Sequence, residues 1–413
     1  MKTATLERDY AHRPDNKDLR HLPGAYGLPY LGYMVPLLKN PYEVIKRHYD
    51  RYGAVSRTRL TGQNMVWALG PDYNRELVMD PQQVYSARMG YDAPLGDFFA
   101  GGLLVRDFAE HKFHRRIMQT AFKTSSMQHY VHSVNEISSA TVERWSKADG
   151  FRYYPHIKEL LLDIGARVFV GVSLDDEIAP LNKAFLDMMA GTLAIVRKDW
   201  PGLGLVYHRG MNGRRYLEQY FQGLVPQRRR DQGMDMMSHF SKETTEEGQY
   251  FPDKVVADHL IFLVLAAHDT TTSALTMASY YLARHPEWQE RLRGEVLALD
   301  RSLAYDDLAG VPLLEQTFHE ILRMHPPVPQ LMRRTIRETE LGGYRIPADT
   351  MVAISPIFSH RMAEYWKDPH RFDPERFGPA RQEHSSIPIC GCPSVAVRTS
   401  ASGCTLPTCC SSA

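Results

Sequence analysis

From about Asp107 to Leu299, apolar side chains recur at i, i+3 and i+4 almost without interruption, the spacing of helices that bury one face. Within that span Val255 to Arg284 is nearly free of charge, which predicts a long helix buried on most sides. The pattern differs at the two ends. Residues 22–41 (LPGAYGLPYLGYMVPLLKNP) are rich in Pro and Gly and predict a rigid irregular segment. PYEVIKRHYDRYG then has helical spacing closed by Gly53, and AVSRTRLTGQNMVWALG alternates as a hairpin does. A second β-like stretch, TELGGYRIPADTMVAIS, occupies 339–355. The expected fold class is mainly α with a small β portion, in one domain over 1–386. At residue 387 the pattern stops. Ile387–Ala413 is rich in Ser, Cys, Thr and Pro, has one charged residue (Arg398) and no period, and reads as an aberrant, disordered tail.

Composition narrows the classes without choosing one. The 413 residues are 43% hydrophobic and 23% charged, ordinary for a soluble globular chain that can bury a large core. A net charge of +1 gives no broad basic field for nucleic acid. The run Arg228-Arg229-Arg230 reads as a solvated helix end. The first residues, MKTATLERDYAHRPDNKDLRH, are polar, with no apolar signal region or spanning segment, so a cytoplasmic protein is expected. All five cysteines lie from Cys390 onward, which leaves residues 1–386 without a disulfide framework.

Four local patterns bear on chemistry. At the centre of the long apolar helix lies Ala266-Ala267-His268-Asp269-Thr270-Thr271. Thr270 and Thr271 can bond back to carbonyls one turn earlier while Asp269 reaches solvent; alternatively the small residues admit a flat cofactor, with Asp269 and Thr270 relaying protons. Glu320-Ile321-Leu322-Arg323 puts an acid and a base on one helical face, as many surface pairs do, before His325-Pro326-Pro327-Val328-Pro329 ends the helix. Arg376, in Pro374-Glu375-Arg376-Phe377, can complete a buried three-charge cluster with them. In His111-Lys112-Phe113-His114-Arg115-Arg116, His111 and Arg115 share a face suited to an anion, or form part of a plain basic surface. Arg333, just beyond the Pro-rich break, is a further cation for the same group.

In this order and at these separations the patterns resemble the cytochrome P-450 family, from about Leu22 to Phe377. The resemblance implies that Asp269 and Thr270 are the acid–alcohol pair of the oxygen-activating helix, with Ala267 where glycine is commoner. It implies that Glu320 and Arg323 are the E-x-x-R pair with Arg376 as third partner. His111 and Arg115 match the haem-propionate pair W-x-x-x-R, histidine replacing tryptophan, and Arg333 matches the propionate arginine after the break. The cofactor implied is haem. The reaction implied is insertion of one oxygen atom of O₂ into a small apolar substrate, with NAD(P)H electrons delivered by a ferredoxin or another redox protein. Phe98, Phe99, Leu263, Val328 and Leu331 would line the pocket, and a sterol, terpenoid or fatty-acid-like substrate would suit it.

One departure matters most. After Phe377 the family places F-x-x-G-x-x-x-C-x-G, whose thiolate binds the iron; this chain has no such run, so the haem-ligand loop and the elements after it are missing. Reverse translation of Pro393–Cys409, read two nucleotides on, permits Phe-Gly-Gly-Gly-Ala-His-Lys-Cys-Ile-Gly-Leu-His-Phe-Ala-Asp-Met, the absent motif in order. Each new codon has only its first base open, and the ligand codon straddles Ser400 and Ala401. A frameshifted, truncated and inactive oxygenase is therefore expected, with apolar surface near Phe358 and Phe377 left uncovered. Two alternatives stand beside it, a haem-free, non-catalytic helical remnant and haem bound through Cys404. The tail lacks the C-x-x-C pairs of a zinc site.

Overall fold

Short-range signals set the first elements of the computed structural model, which describes residues 17–145, 150–172, 178–194, 196–202, 204–245, 247–299 and 301–387. After α1 (Met34–Lys39), the Asn40 side chain accepts from the Glu43 amide at 3.2 Å and Pro41 supplies the helical φ, so α2 (Pro41–Tyr52) starts there. It ends at Gly53, whose φ of +83° favours glycine. β1 (Val55–Leu60) and β2 (Gln63–Ala68) pair antiparallel across Thr61-Gly62, both at positive φ as a two-residue hairpin turn requires. Then follow α3 (Pro71–Met79), β3 (Tyr85–Ser86) and α4 (Ala87–Phe99).

The helical middle comprises α5 (Phe108–Gln119), α6 (Thr124–Trp145), α7 (Tyr153–Gly165), α8 (Ile178–Thr192), α9 (Val206–Arg228) and α10 (Met236–Lys242). It continues through α11 (Asp253–Arg284), α12 (Pro286–Leu297) and α13 (Pro312–Met324). β4 (Leu331–Thr335), β5 (Thr339–Leu341), β6 (Tyr344–Ile346), β7 (Met351–Ile354) and α14 (Pro356–Ser359) complete the order. Five strands form one sheet in the order β1-β2-β7-β4-β3, antiparallel except where β2 runs parallel to β7. β5 and β6 form a separate hairpin through Gly342-Gly343.

α11 lies at the centre. Val256 to Leu265 are all buried, against Phe98 and Phe99 of α4, Met118 of α5 and Leu217 and Phe221 of α9. Its length and composition would let it cross a membrane; here it is the core helix of the helical cluster. A second core lies on the sheet, around Val55, Val66, Leu341, Ile346 and Val352.

Three expectations change. The Arg228–Arg230 run is not merely solvated: Arg228 donates to the Val170 carbonyl at 2.6 Å, and Arg229 to the carbonyls of Ser241 and Phe251 at 3.1 and 2.7 Å. A guanidinium with five donors suits this tying of chain ends. Phe358 and Phe377 are buried, the first against Tyr42 and Tyr49, the second against Trp366. Ile387, assigned to the tail by composition, is buried on Trp366 and Phe377. The rest of the expected tail, 388–413 with every cysteine, lies outside the described residues.

Candidate functional site

α11 carries the acid and alcohol in different environments. The Thr270 hydroxyl donates to the Ala266 carbonyl at 2.8 Å, and Thr272 to that of His268 at 2.8 Å, the back-bonding open to a hydroxyl inside a helix. Asp269 is 40% exposed and projects into a cleft of about 470 Å³ whose walls include Tyr154, Lys158, Met189, Thr272 and Ser273. Its Oδ1 lies 3.9 Å from Lys158 Nζ and 3.1 Å from His268 Nδ1. Lys158 escaped the sequence reading, because packing of α7 on α11 brings it to the acid and no spacing rule does; His268 stood in the motif as the neighbour of Asp269, but its contact with the acid was not read.

The spacing of three between Glu320 and Arg323 places them together on α13, and the loop after α14 brings Arg376. All three side chains are 0% exposed. Glu320 accepts from Arg323 Nε at 2.6 Å, Arg323 Nη2 at 2.9 Å, Arg376 Nε at 3.1 Å and the Asp373 amide at 2.9 Å. Arg323 Nη1 also donates to the carbonyls of His360 and Pro369, at 2.7 and 2.9 Å. The cluster extends beyond the expected three charges. Glu383 accepts from Arg376 Nη1 at 2.7 Å and also pairs with Arg381, which reaches Asp373 at 2.7 Å. Nothing in the spacing signals Glu383, which arrives on a short turn beyond the last motif.

The three residues expected to meet one anion lie near one another. His111 and Arg115 come from α5 and Arg333 from β4, and the three lie close enough to act on one another. Burial, then the Arg115 and Arg333 guanidiniums, push the His111 imidazole down to about 4, so it is a neutral N–H donor at pH 7. Gly90 lets α4 lie against β4, since a Cβ there would stand 2.9 Å from the Met332 carbonyl oxygen. This cationic end fits the carboxylates of a haem. The described residues contain no cysteine, hence no thiolate for its iron; Cys404 falls outside them. Of the expected pocket residues, Phe98, Phe99 and Leu263 meet in the core on α11, with Phe99 edge-on to Phe262 at 6.0 Å. Val328 and Leu331 belong instead to the sheet core.

Known proteins resemble this arrangement. The family model described as Cytochrome P450 matches residues 22–389. The chain is 37% identical over 390 residues to cytochrome P450 136 of Mycobacterium tuberculosis, covering 93% of this chain and 79% of that one. It is 27% identical over 367 residues to the cyclooctat-9-en-7-ol 5-monooxygenase of Streptomyces melanosporofaciens, covering 86% and 78%. Among solved structures it matches the retinoic acid bound cyanobacterial CYP120A1 with a TM-score of 0.77 at 24% identity, over 90% of this chain and 85% of that chain.

Proposed function

The chain belongs to the cytochrome P450 family, and on that premise we propose that its body is the substrate- and oxygen-handling part of a monooxygenase acting on an apolar, terpenoid-like molecule. The observation that carries this is that one chain holds three parts, each assembled: the Ala266–Thr270 turn of α11, the basic group His111, Arg115 and Arg333, and the buried Glu320–Arg323–Arg376 cluster. The family's cofactor is haem, which supplies O₂ activation when its iron is held by a cysteine thiolate.

The chain's own residues divide the remaining work. Arg115 and Arg333, with the neutral His111 as donor, would hold the two propionates through charge-assisted hydrogen bonds. Ala266 and Ala267 present backbone with little side chain, leaving room for a flat ring beside α11. The Thr270 hydroxyl, which donates to the Ala266 carbonyl, would be the donor that faces the cofactor's reacting side. Asp269, at the mouth of a cleft, would restore the proton from water. Phe98, Phe99 and Leu263 keep that side of α11 dry. The Glu320 cluster touches no reacting atom in this reading; it fixes the loop from His360 to Arg376 against α13. The terpenoid class is supported by the cyclooctat-9-en-7-ol 5-monooxygenase. Electrons would come from a ferredoxin-like donor, in the cytoplasm.

We further propose that the 413-residue chain is inactive, as a frameshifted form lacking its ligand loop. In support, the family match stops at residue 389, where the composition breaks. The test is a reduced, carbon monoxide-bound difference spectrum of the 413-residue chain beside a form with the frame restored. A thiolate-type Soret band only in the restored form is expected. The same band in the 413-residue chain would mean that Cys404 or another tail cysteine holds the iron, and would overturn the inactive reading. No haem uptake by either form would favour a haem-free remnant.

A further inference from the structure

One buried titratable group on α11 has no part in the reading above. His268 is 5% exposed and wedged between α11 and α7, with Nε2 3.0 Å from the Lys158 carbonyl oxygen and Nδ1 3.1 Å from Asp269 Oδ1. A carbonyl oxygen has lone pairs and nothing to donate, so Nε2 must carry its hydrogen. In a neutral imidazole this leaves Nδ1 with a bare lone pair. A lone pair facing a carboxylate oxygen at 3.1 Å repels it. The contact becomes attractive only when a proton lies between the two atoms.

We propose that His268 is a positioning residue: its Nδ1 shares a proton with Asp269 Oδ1, clamps the carboxylate at the cleft, and releases it when that proton leaves. The anchor is fixed, because the Lys158 carbonyl is backbone of α7. The clamp is directional, because Asp269 can rotate about its side-chain bonds while the buried ring cannot. Among the other groups in the cleft, Lys158 Nζ lies 3.9 Å from the same Oδ1. Tyr154 is the remaining titratable side chain on the described cleft wall, and α8 contributes only the apolar Leu186, Met189 and Ala190.

The shared proton follows from hydrogen-bond chemistry alone. Its use in delivering protons through Asp269 rests on the proposed monooxygenase reading, so two measurements are needed. The first is ¹⁵N NMR of the histidine rings in the 413-residue chain near neutral pH. Both His268 nitrogens should carry hydrogen in the parent, and Asp269→Asn should leave hydrogen on Nε2 alone, since the amide can itself donate to Nδ1. A parent His268 with a bare Nδ1 overturns the proposal.

The second is the pH profile of turnover in the frame-restored enzyme. His268→Asn puts a donor that does not titrate where Nδ1 stood, and His268→Leu provides none. A positioning role predicts a flattened profile with unchanged KM for Asn and a loss of kcat across the range for Leu. Superimposable parental and His268→Asn profiles overturn the positioning role. A restored parent that takes up haem yet turns over no apolar substrate overturns the functional reading, and the role with it, while the NMR result still decides the proton.

Discussion

Glu320 accepts from both Arg323 Nε and Arg376 Nε and is fully buried. Removing it leaves the buried Arg323 without its paired carboxylate and Arg376 with Glu383, which Arg381 shares. Breaking a buried pair in this way costs about 3–5 kcal/mol, a large share of an ordinary domain's stability. Glu320→Ala is therefore expected to reduce soluble yield sharply and lower the urea midpoint. Parental yield and midpoint would show that the cluster does not support the fold. The pairing of Glu320 with Arg323 was legible in the chain because a spacing of three on a helix fixes two side chains relative to each other. The contribution of Glu383 was not, because it depends on how a loop returns to α13. Asp269 and Thr270 were legible as polar residues in an apolar helix. Their environments were not, because Lys158 reaches Asp269 from α7 and His268 is anchored by an α7 carbonyl.

At the level of elements, α4 is the instructive case. Gly90 and Gly96 within it argue against a helix, and no apolar period in the segment offsets them. The helix is held from outside. Ser86 accepts from the Met89 amide at 2.9 Å, and Asp107, just before α5, accepts from the amides of Ala87 and Arg88 at 2.7 and 3.1 Å. One residue thus caps α4 with its carboxylate, while its backbone carbonyl accepts from the His111 amide at 3.0 Å and starts the helix that bears His111 and Arg115. Losing a cap of this kind costs about 1–2 kcal/mol. Asp107→Ala should lower the urea midpoint correspondingly and raise amide hydrogen exchange in residues 87–91 above that in α11. Unchanged exchange in α4 would contradict the capping role. β4 was likewise illegible, since LMRRT places two arginines in a strand. Its buried position follows from pairing with β7 and from the Arg334–Asp349 contact at 3.1 Å.

Across the whole molecule, buried histidines set a shared response to acid. Burial pushes His48, His111, His114 and His325 down to about 4, and His259, hydrogen-bonded to His114 at 2.9 Å, is pushed down further. In the unfolded chain these rings protonate near the ordinary histidine value of about 6.5. Unfolding therefore takes up protons from about 6.5 downward, so stability is full above that point, falls as pH drops through the window to about 4, and goes on falling below it through His259 and the fully buried His360. Urea midpoints measured at intervals across this range should decline steadily on acidification; a flat response would contradict the buried, neutral histidines. The closure of the sheet has a consequence in time. Trp67 of β2 pairs with Ala353 of β7, and at ribosomal rates the second emerges roughly 15–60 s after the first. For that interval the β1–β2 hairpin is a finished ribbon with one unsatisfied edge on a nascent chain. Its protection falls to whatever holds unfolded polypeptide in the cell, and slower translation of the helical middle should make depletion of that protection more costly.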